Sequence, residues 1–285
     1  MCLKRIFFLI SLLVSSGYTQ VVKGQNNSGQ DILPVEVVYK TIDTTKLTLR
    51  IYALPKKQRS RKSPAIVYFF GGGWTGRNPL QFHEHALRYA EKGIVTILAD
   101  YRVKNVHGTS PMEALLDAKS AMRYVRGHAK KWRIDEDRIA AAGGSAGGHL
   151  AAACFTNERF NAAGDNLRIS AKPNALLLFN PVIDNGPDGY GYERVSQWFP
   201  DFSPMHMIKD AFPETIFFLG TKDRLIPVST AETFTAKVQA TGSSCELHLY
   251  DGAGHGFFNQ PAYREVIFPK VDSFLLRIGY IGKQD

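Results

Sequence analysis

From residue 35 onward the chain alternates short apolar runs with longer segments in which apolar residues recur at helical spacing. Val35–Lys40 and Leu47–Leu54 read as two β runs around Asp43-Thr44-Thr45, the pattern of a hairpin. Ala65–Phe70 and Ile94–Ala99 are continuous apolar runs, and between them Pro79–Lys92 has helical spacing. Pro111–Lys130 predicts a long helix, with proline in its first turn and Leu115, Ala118, Met122 and Val125 along one face. The same alternation continues: strand Arg138–Ala142, helix Ala146–Phe155, strands Ala175–Phe179 and Thr215–Leu219, helix Thr230–Ala240, strand Glu246–Tyr250 and a closing helix Tyr263–Ile278. Strands that are apolar along their whole length are buried on both faces. The pattern therefore predicts an α/β fold: a mostly parallel central sheet with helices on both faces and an antiparallel hairpin at its start. No internal repeat or second domain is visible. The longest irregular stretch, Pro181–Pro213, is rich in Gly, Pro and aromatics, and loops of that length in a compact domain are usually functional.

The N-terminus breaks this pattern. Lys4 and Arg5 precede an apolar run, Ile6–Val14, followed by the small residues Ser15, Ser16 and Gly17. A basic start, a short apolar core and a small-residue exit describe a secretory signal peptide, and the run is too short for a membrane span. The expected organisation is a signal peptide over 1–19, a polar linker over 20–34 and a catalytic domain over 35–285, with the mature protein secreted or periplasmic and without stable membrane insertion. The formal charge of +9, from 35 basic and 26 acidic residues, falls by two when that segment leaves. The basic run Lys56–Lys62 has no interleaved aromatics. It reads as a solvated loop, and no nucleic-acid partner is expected. After signal removal Cys154 and Cys245 remain. Too few for a disulfide scaffold, they are expected as two separate buried thiols, with one disulfide as the alternative.

Candidate chemistry gathers at the carboxyl ends of the predicted strands, where ligands bind in open α/β sheets. Gly143-Gly144-Ser145-Ala146-Gly147 matches Gly-x-Ser-x-Gly. The match alone is weak, but a strand precedes it and a helix follows it, the context in which a serine projects from a strained turn above a helix N-terminus. An acid and then a histidine should follow. Asp223 stands in the turn after Thr215–Leu219, and His255 in the glycine-rich loop after Glu246–Tyr250. Asp251 and Asp184 are the competing acids. Gly71-Gly72-Gly73-Trp74 follows the first parallel strand and would let backbone N–H groups approach a developing oxyanion. Ala146 and one of Gly72 or Gly73 are the candidate donors. A phosphate loop would need Gly-Lys-Ser/Thr, which is absent. Trp74, Tyr190, Trp198, Phe199 and Phe257 are candidates for the substrate pocket, with Tyr192 and Phe258 beside them. His83, His85 and His107 lack metal-like spacing, so neither a metal nor a cofactor is expected.

With these motifs in place the chain resembles the α/β-hydrolase esterases, nearest the hormone-sensitive-lipase-like and feruloyl or acetyl esterase (BD-FAE-like) group. The resemblance rests on Gly71–Trp74, Asp100-Tyr101-Arg102, Gly143–Ala151, Gly220–Asp223 and Gly252–Phe257. It departs at Phe70, where the group carries a histidine that braces the oxyanion loop; Phe70 is expected to brace it by packing. Asp100, Tyr101 and Arg102 are expected to be structural, and His149 a packed helix residue. The resemblance implies a serine carboxylic-ester hydrolase with the triad Ser145, His255 and Asp223. Its substrate would be a small-molecule or polysaccharide-linked ester of acetyl or feruloyl type. The alternatives are a peptidase-like or other amide hydrolase, and a non-catalytic binding protein on the same fold.

Overall fold

A computed structural model describes residues 32–58, 62–209 and 211–282. The expected signal peptide, most of the expected linker and residues 59–61 of the basic run lie outside the described residues.

Eight strands form one sheet: β1 (Val35–Ile42), β2 (Thr45–Tyr52), β3 (Ser63–Phe69), β4 (Val95–Ala99), β5 (Ile134–Gly144), β6 (Ala175–Phe179), β7 (Glu214–Gly220) and β8 (Cys245–Tyr250). Their spatial order is β1-β2-β4-β3-β5-β6-β7-β8. The hairpin partners β1 and β2 are antiparallel, as are β2 and β4, and every pair from β4 onward is parallel. The helices are α1 (His83–Glu91), α2 (Lys104–His107), α3 (Pro111–Gly127), α4 (Ala129–Trp132), α5 (Ala146–Thr156), α6 (Tyr192–Val195), α7 (Val228–Ala240) and α8 (Pro261–Arg277).

The apolar runs explain the layers. Alternate residues of a strand face opposite sides of the sheet. Val67, Phe69, Ile97, Ala141, Leu176, Leu178 and Phe217 join a core with α3, α5 and α7. Ile66, Tyr68, Leu98, Ala142, Leu177, Phe179 and Phe218 join a second core with α1 and α8. A strand buried on both faces needs no polar alternation, which is why periodicity marked these segments as parallel strands. Helix α3 starts where its cap dictates. Met112 N donates to Ser110 Oγ at 3.2 Å and Ser110 N donates to Glu113 Oε2 at 2.8 Å, a reciprocal capping box with Pro111 in the first turn.

Three boundaries differ from expectation by three residues or more. The helix expected from Pro79 begins at His83, because residues 79–82 make turns, Gln81 N bonding Asn78 O and His83 N bonding Leu80 O. The expected strand at Arg138 starts earlier, at Ile134, and the long helix ends at Gly127 before the separate turn α4. Ile32, at the end of the expected linker, is buried in the α1/α8 core. Cys154 and Cys245 are buried free thiols, and burial pushes both thiol pKa values up, to about 12 and about 11.

The topology sets the site. From β3 the chain moves outward to β4, then returns across β3 to β5, so the connection reverses direction between β3 and β5. Ligands of open α/β sheets bind at such a reversal. Phe69 of β3 pairs with Gly143 of β5, which brings the glycine loop after β3 beside the serine loop after β5.

Candidate active site

Ser145 sits between β5 and α5 at φ 53° and ψ −120°, a conformation that costs a non-glycine residue on the order of 1–3 kcal/mol. The surrounding packing imposes it. A Cβ on Gly143 would lie 2.3 Å from the Gly147 carbonyl, and one on Gly147 would lie 2.1 Å from Phe69 O. Glycine at both positions lets β5 turn into α5 within one residue, so the serine side chain projects beyond the strand end. Ser145 N is held by Phe179 O at 3.0 Å, and Val182 N donates to Ser145 O at 3.0 Å, fixing the turn to β6 and the segment after it.

The acid and histidine come from the two neighbouring outer strands. Asp223 follows β7 and its carboxylate is fully buried; Oδ1 accepts from Leu225 N at 2.8 Å and Ile226 N at 3.0 Å. That leaves Oδ2 for His255 Nδ1, 2.7 Å away, while His255 Nε2 lies 2.9 Å from Ser145 Oγ. A buried carboxylate oriented by two backbone donors fixes the imidazole with Nδ1 protonated and Nε2 facing the hydroxyl, ready to take a proton. The competing acids lie elsewhere. Asp251 accepts from Thr221 Oγ1 at 3.0 Å, and Asp184 accepts from Gly186 N at 2.8 Å. Asp184 has its own serine and histidine nearby: His206 Nδ1 is 2.8 Å from Ser203 Oγ and 3.8 Å from Asp184 Oδ1. Both contacts fall on the same ring nitrogen, and Ser203 is fully buried and already accepts from Asn185 N, so this trio braces the loop.

The glycine loop after β3 is shaped by hydrogen bonds of its own. Gly71 N donates to Gln81 Oε1 at 2.6 Å and is therefore occupied. Gly72 O accepts from Thr75 N and Gly76 N, both at 2.9 Å. In a trans peptide the N–H points opposite to the C=O, so the Gly73 N–H is turned away from that bend. Gly72, Gly73 and Trp74 all have positive φ, at 135°, 62° and 58°. A Cβ on Gly71 would lie 3.3 Å from Ser145 Cβ, so the loop runs directly beside the serine. Ala146 N, in the first turn of α5, has no acceptor within the helix. The expected donors thus lie on the two loops that flank Ser145.

Phe70, where a bracing histidine is usual, stacks on Tyr101 with ring centroids 4.0 Å apart, and Tyr101 Oη donates to Phe70 O at 2.6 Å. The Asp-Tyr-Arg segment is an anchor on both sides of that tyrosine. Arg77 makes two bonds to Asp100, at 3.0 and 2.6 Å, and Arg102 makes two side-chain bonds to Asp117, at 2.7 and 2.9 Å.

The aromatic candidates separate into three groups. Trp74 is 1% exposed, edge-on to His149, Phe202 and near Tyr190. Tyr190 is half-buried, and its hydroxyl would lie 2.9 Å from a Cβ on Gly73, beside the glycine loop. Trp198 packs on Phe202, and Phe199 on His206 and Tyr192, within the long segment itself. Phe257 is 1% exposed and packs on Tyr250 and Tyr263, and Phe258 lies on Phe82 and Phe179; both are core residues, out of a substrate's reach. His149 is packed as expected, its Nε2 donating to Phe202 O at 2.8 Å.

Three residues near the site carry no sequence motif. Asn180, at the end of β6, accepts from Gly256 N at 3.1 Å and lies 3.4 Å from His255 Nε2. Gln81 holds Gly71, and Arg194 donates to Gly73 O at 2.8 Å. The only available signal was Asn180's place at a strand end. No group of three or more His, Cys, Asp and Glu among the described residues could hold a metal ion.

Known proteins agree with this architecture. The BD-FAE family model matches residues 49–186, and the dienelactone hydrolase family model matches residues 190–271. Esterase 2 of Thermogutta terrifontis, in a structure phosphoramylated by tabun, superposes with TM-score 0.83 and 37% identity over 88% of this chain and 97% of that one. Its butyrate-bound structure gives TM-score 0.83 at 36% identity over 88% and 96% of the two chains. Esterase LipC of Mycobacterium tuberculosis is 27% identical over 71% of this chain and 55% of its own length. An acetylxylan esterase of Xylanibacter ruminicola is 26% identical over 72% of this chain and 42% of its own. The chain thus spans about half the length of these two curated relatives. A mostly parallel eight-stranded sheet and a solved esterase alike over nearly its whole length lead to one conclusion: the chain belongs to the esterases of the α/β-hydrolase superfamily.

Proposed function

We propose that this protein is an exported serine esterase that cleaves short acyl groups, of acetyl type, from small or carbohydrate-linked alcohols through an acyl-enzyme. The observation that carries the reading is the unbroken line from Asp223 Oδ2 to His255 Nδ1, 2.7 Å, and from His255 Nε2 to Ser145 Oγ, 2.9 Å. Ser145 Oγ attacks the acyl carbon while its proton passes to His255 Nε2. The tetrahedral oxyanion is held by the N–H groups of Ala146 and Gly73. As the ester C–O bond breaks, His255 delivers the proton to the departing alcohol oxygen. Water then gives a proton to His255, attacks the acyl carbon and releases the carboxylic acid, returning the proton to Ser145. Asp223 holds the imidazole in register and stabilises the imidazolium.

Several observations support the short-acyl preference. The Thermogutta enzyme has been solved with propionate and with butyrate. The acetylxylan esterase points to a carbohydrate-borne acetyl group. The Tyr190 hydroxyl, close over Gly73, limits the space on one side of the glycine loop. Export rests on the basic and apolar N-terminal pattern. The test compares acetyl, butyryl, long-chain and feruloyl esters, then acetylated xylan, in the protein and in Ser145→Ala. Hydrolysis that favours acetyl and butyryl esters and vanishes in Ser145→Ala is expected. Activity that persists in the alanine variant would sink the assignment.

A further inference from the structure

Arg194 is the one described side chain of the long Pro181–Pro213 segment that reaches across to bond the glycine loop. Its Nη1 donates to Gly73 O at 2.8 Å, joining positions 121 residues apart. The guanidinium lies over two neighbouring rings, 5.2 Å from the Trp74 centroid and 5.1 Å from that of Tyr190, and Nε bonds Glu193 at 3.1 Å. Two features of the chain build this seat. Gly191, at φ 77°, caps the start of α6, and a Cβ there would lie 2.6 Å from Arg194 Nη2 and 3.3 Å from Trp74. Only glycine leaves the guanidinium its place. Tyr190 is in turn tied down, its carbonyl accepting from Asn185 Nδ2 at 2.8 Å.

The Gly73 carbonyl is not otherwise held by the main chain in this turn; its second partner is Thr75 Oγ1 at 3.2 Å. Gly73 and Trp74 both have positive φ, a conformation that costs the tryptophan on the order of 1–3 kcal/mol, so this peptide must be held by its partners. Rotation of the peptide carrying Gly73 O would disturb the adjoining peptide, whose N–H belongs to Gly73. We propose that Arg194 is a positioning residue for the oxyanion loop: seated over Trp74 and Tyr190, it fixes the Gly73 carbonyl and through it the aim of the Gly73 N–H. The proposal rests on the serine-esterase reading above. It gives the long segment a task in the chemistry, since the segment then completes the oxyanion site from the far side of the sheet end.

A rigid fork seated over two rings holds a carbonyl in a way a flexible ammonium cannot. Removing a whole oxyanion donor costs about 10²–10³ in kcat, so loosening one should cost about tenfold. The experiment uses the full chain and p-nitrophenyl acetate, with Arg194→Ala, Arg194→Gln and Arg194→Lys, each normalised to serine titrated with paraoxon. We expect kcat about tenfold lower in the alanine and glutamine variants with KM changed less than about twofold, a smaller loss in the lysine variant, and partial restoration of Arg194→Ala by added guanidinium. The rate of phosphorylation by paraoxon should fall in parallel, because its P=O oxygen needs the same donors. Unchanged kcat in all three variants overturns the proposal, as does a rise in KM alone, which would make Arg194 a substrate contact. A loss that guanidinium does not restore and that tracks a lowered melting temperature also overturns it. Ser145→Ala, run alongside, separates the two readings: if it stays active the esterase mechanism fails, and if it is dead while the Arg194 variants are normal only the positioning role fails.

Discussion

Two flanks meet at Ser145, and they are built differently. On the acid–histidine flank each group follows its own strand, Asp223 after β7 and His255 after β8, and the two strands are paired in register at Gly220 and Tyr250. Backbone hydrogen bonds of the sheet carry the precision, and side chains add two short contacts. On the glycine-loop flank only the first residues follow a strand. The loop from Phe70 to Gly76 is held by side chains from distant parts of the chain: Gln81, Tyr101 and Arg194 each grip one main-chain group. A sheet edge places a catalytic side chain cheaply, whereas aiming backbone N–H groups requires a frame of other residues around them.

The widest separation between the flanks is expected from Asp223→Asn. With Oδ1 and its two backbone donors retained, the geometry should survive, but the amide cannot serve as the acceptor of His255 Nδ1–H. A loss on the order of 10⁴ in kcat is expected, while Asp251→Asn, which only releases Thr221, should stay near wild type. A loss in Asp251→Asn with Asp223→Asn near wild type would move the acid to Asp251.

Next in size is Gly72→Ala on the other flank. At φ 135° a Cβ would lie 2.5 Å from Gly76 O, so the bend that orients Gly73 N–H must open. The expectation is a loss of about 10²–10³ in kcat with the His255–Asp223 pair untouched. An activity within twofold of wild type would place the oxyanion donors elsewhere. Tyr101→Phe is milder. It removes the hydroxyl bond to Phe70 O but keeps the stack on Phe70, and a single net hydrogen bond is worth about 1 kcal/mol, so a several-fold loss in kcat is expected.

The same contrast decides what could be read from the chain alone. The parallel strands, the turn at Ser145 and the meeting of Ser145, Asp223 and His255 were legible, because continuous apolar runs mark buried strands and strand ends carry the groups. The glycines at 143 and 147 were legible for a steric reason that the close Cβ positions bear out. Arg194, Gln81 and Asn180 were not, since each works by a contact over a sequence distance that no local pattern encodes. Phe257 shows the opposite failure. An aromatic next to a catalytic loop looks like a pocket wall in sequence, yet the turn at Gly256, φ 79°, directs it into the core on Tyr250 and Tyr263. Proximity along the chain does not fix which side of the sheet end a side chain faces.

His149 crosses between the flanks and gives the smallest expected effect at neutral pH. It lies one helical turn beyond Ser145 on α5, donates Nε2–H to Phe202 O at 2.8 Å and stacks on the Phe202 ring, 4.3 Å away, so it ties α5 to the long segment that carries Arg194. Burial drives its pKa down from 6.5 to about 4. The folded protein then resists binding a proton that the unfolded chain takes up as pH falls below 6.5. Its contribution to stability is whole above that pH, declines as pH falls, and levels off below about 4, where both states are protonated. Across that window the loss is about 3 kcal/mol, and His149→Gln, which keeps an amide donor for Phe202 O without the titrating ring, should remove it. Urea unfolding at pH 7 and at pH 4.5 measures the difference. If the long segment is clamped to α5 through this ring, the wild type should lose more stability on acidification than the variant, with near-equal kcat at pH 7. Parallel pH curves for the two proteins would show that His149 does not couple the flanks.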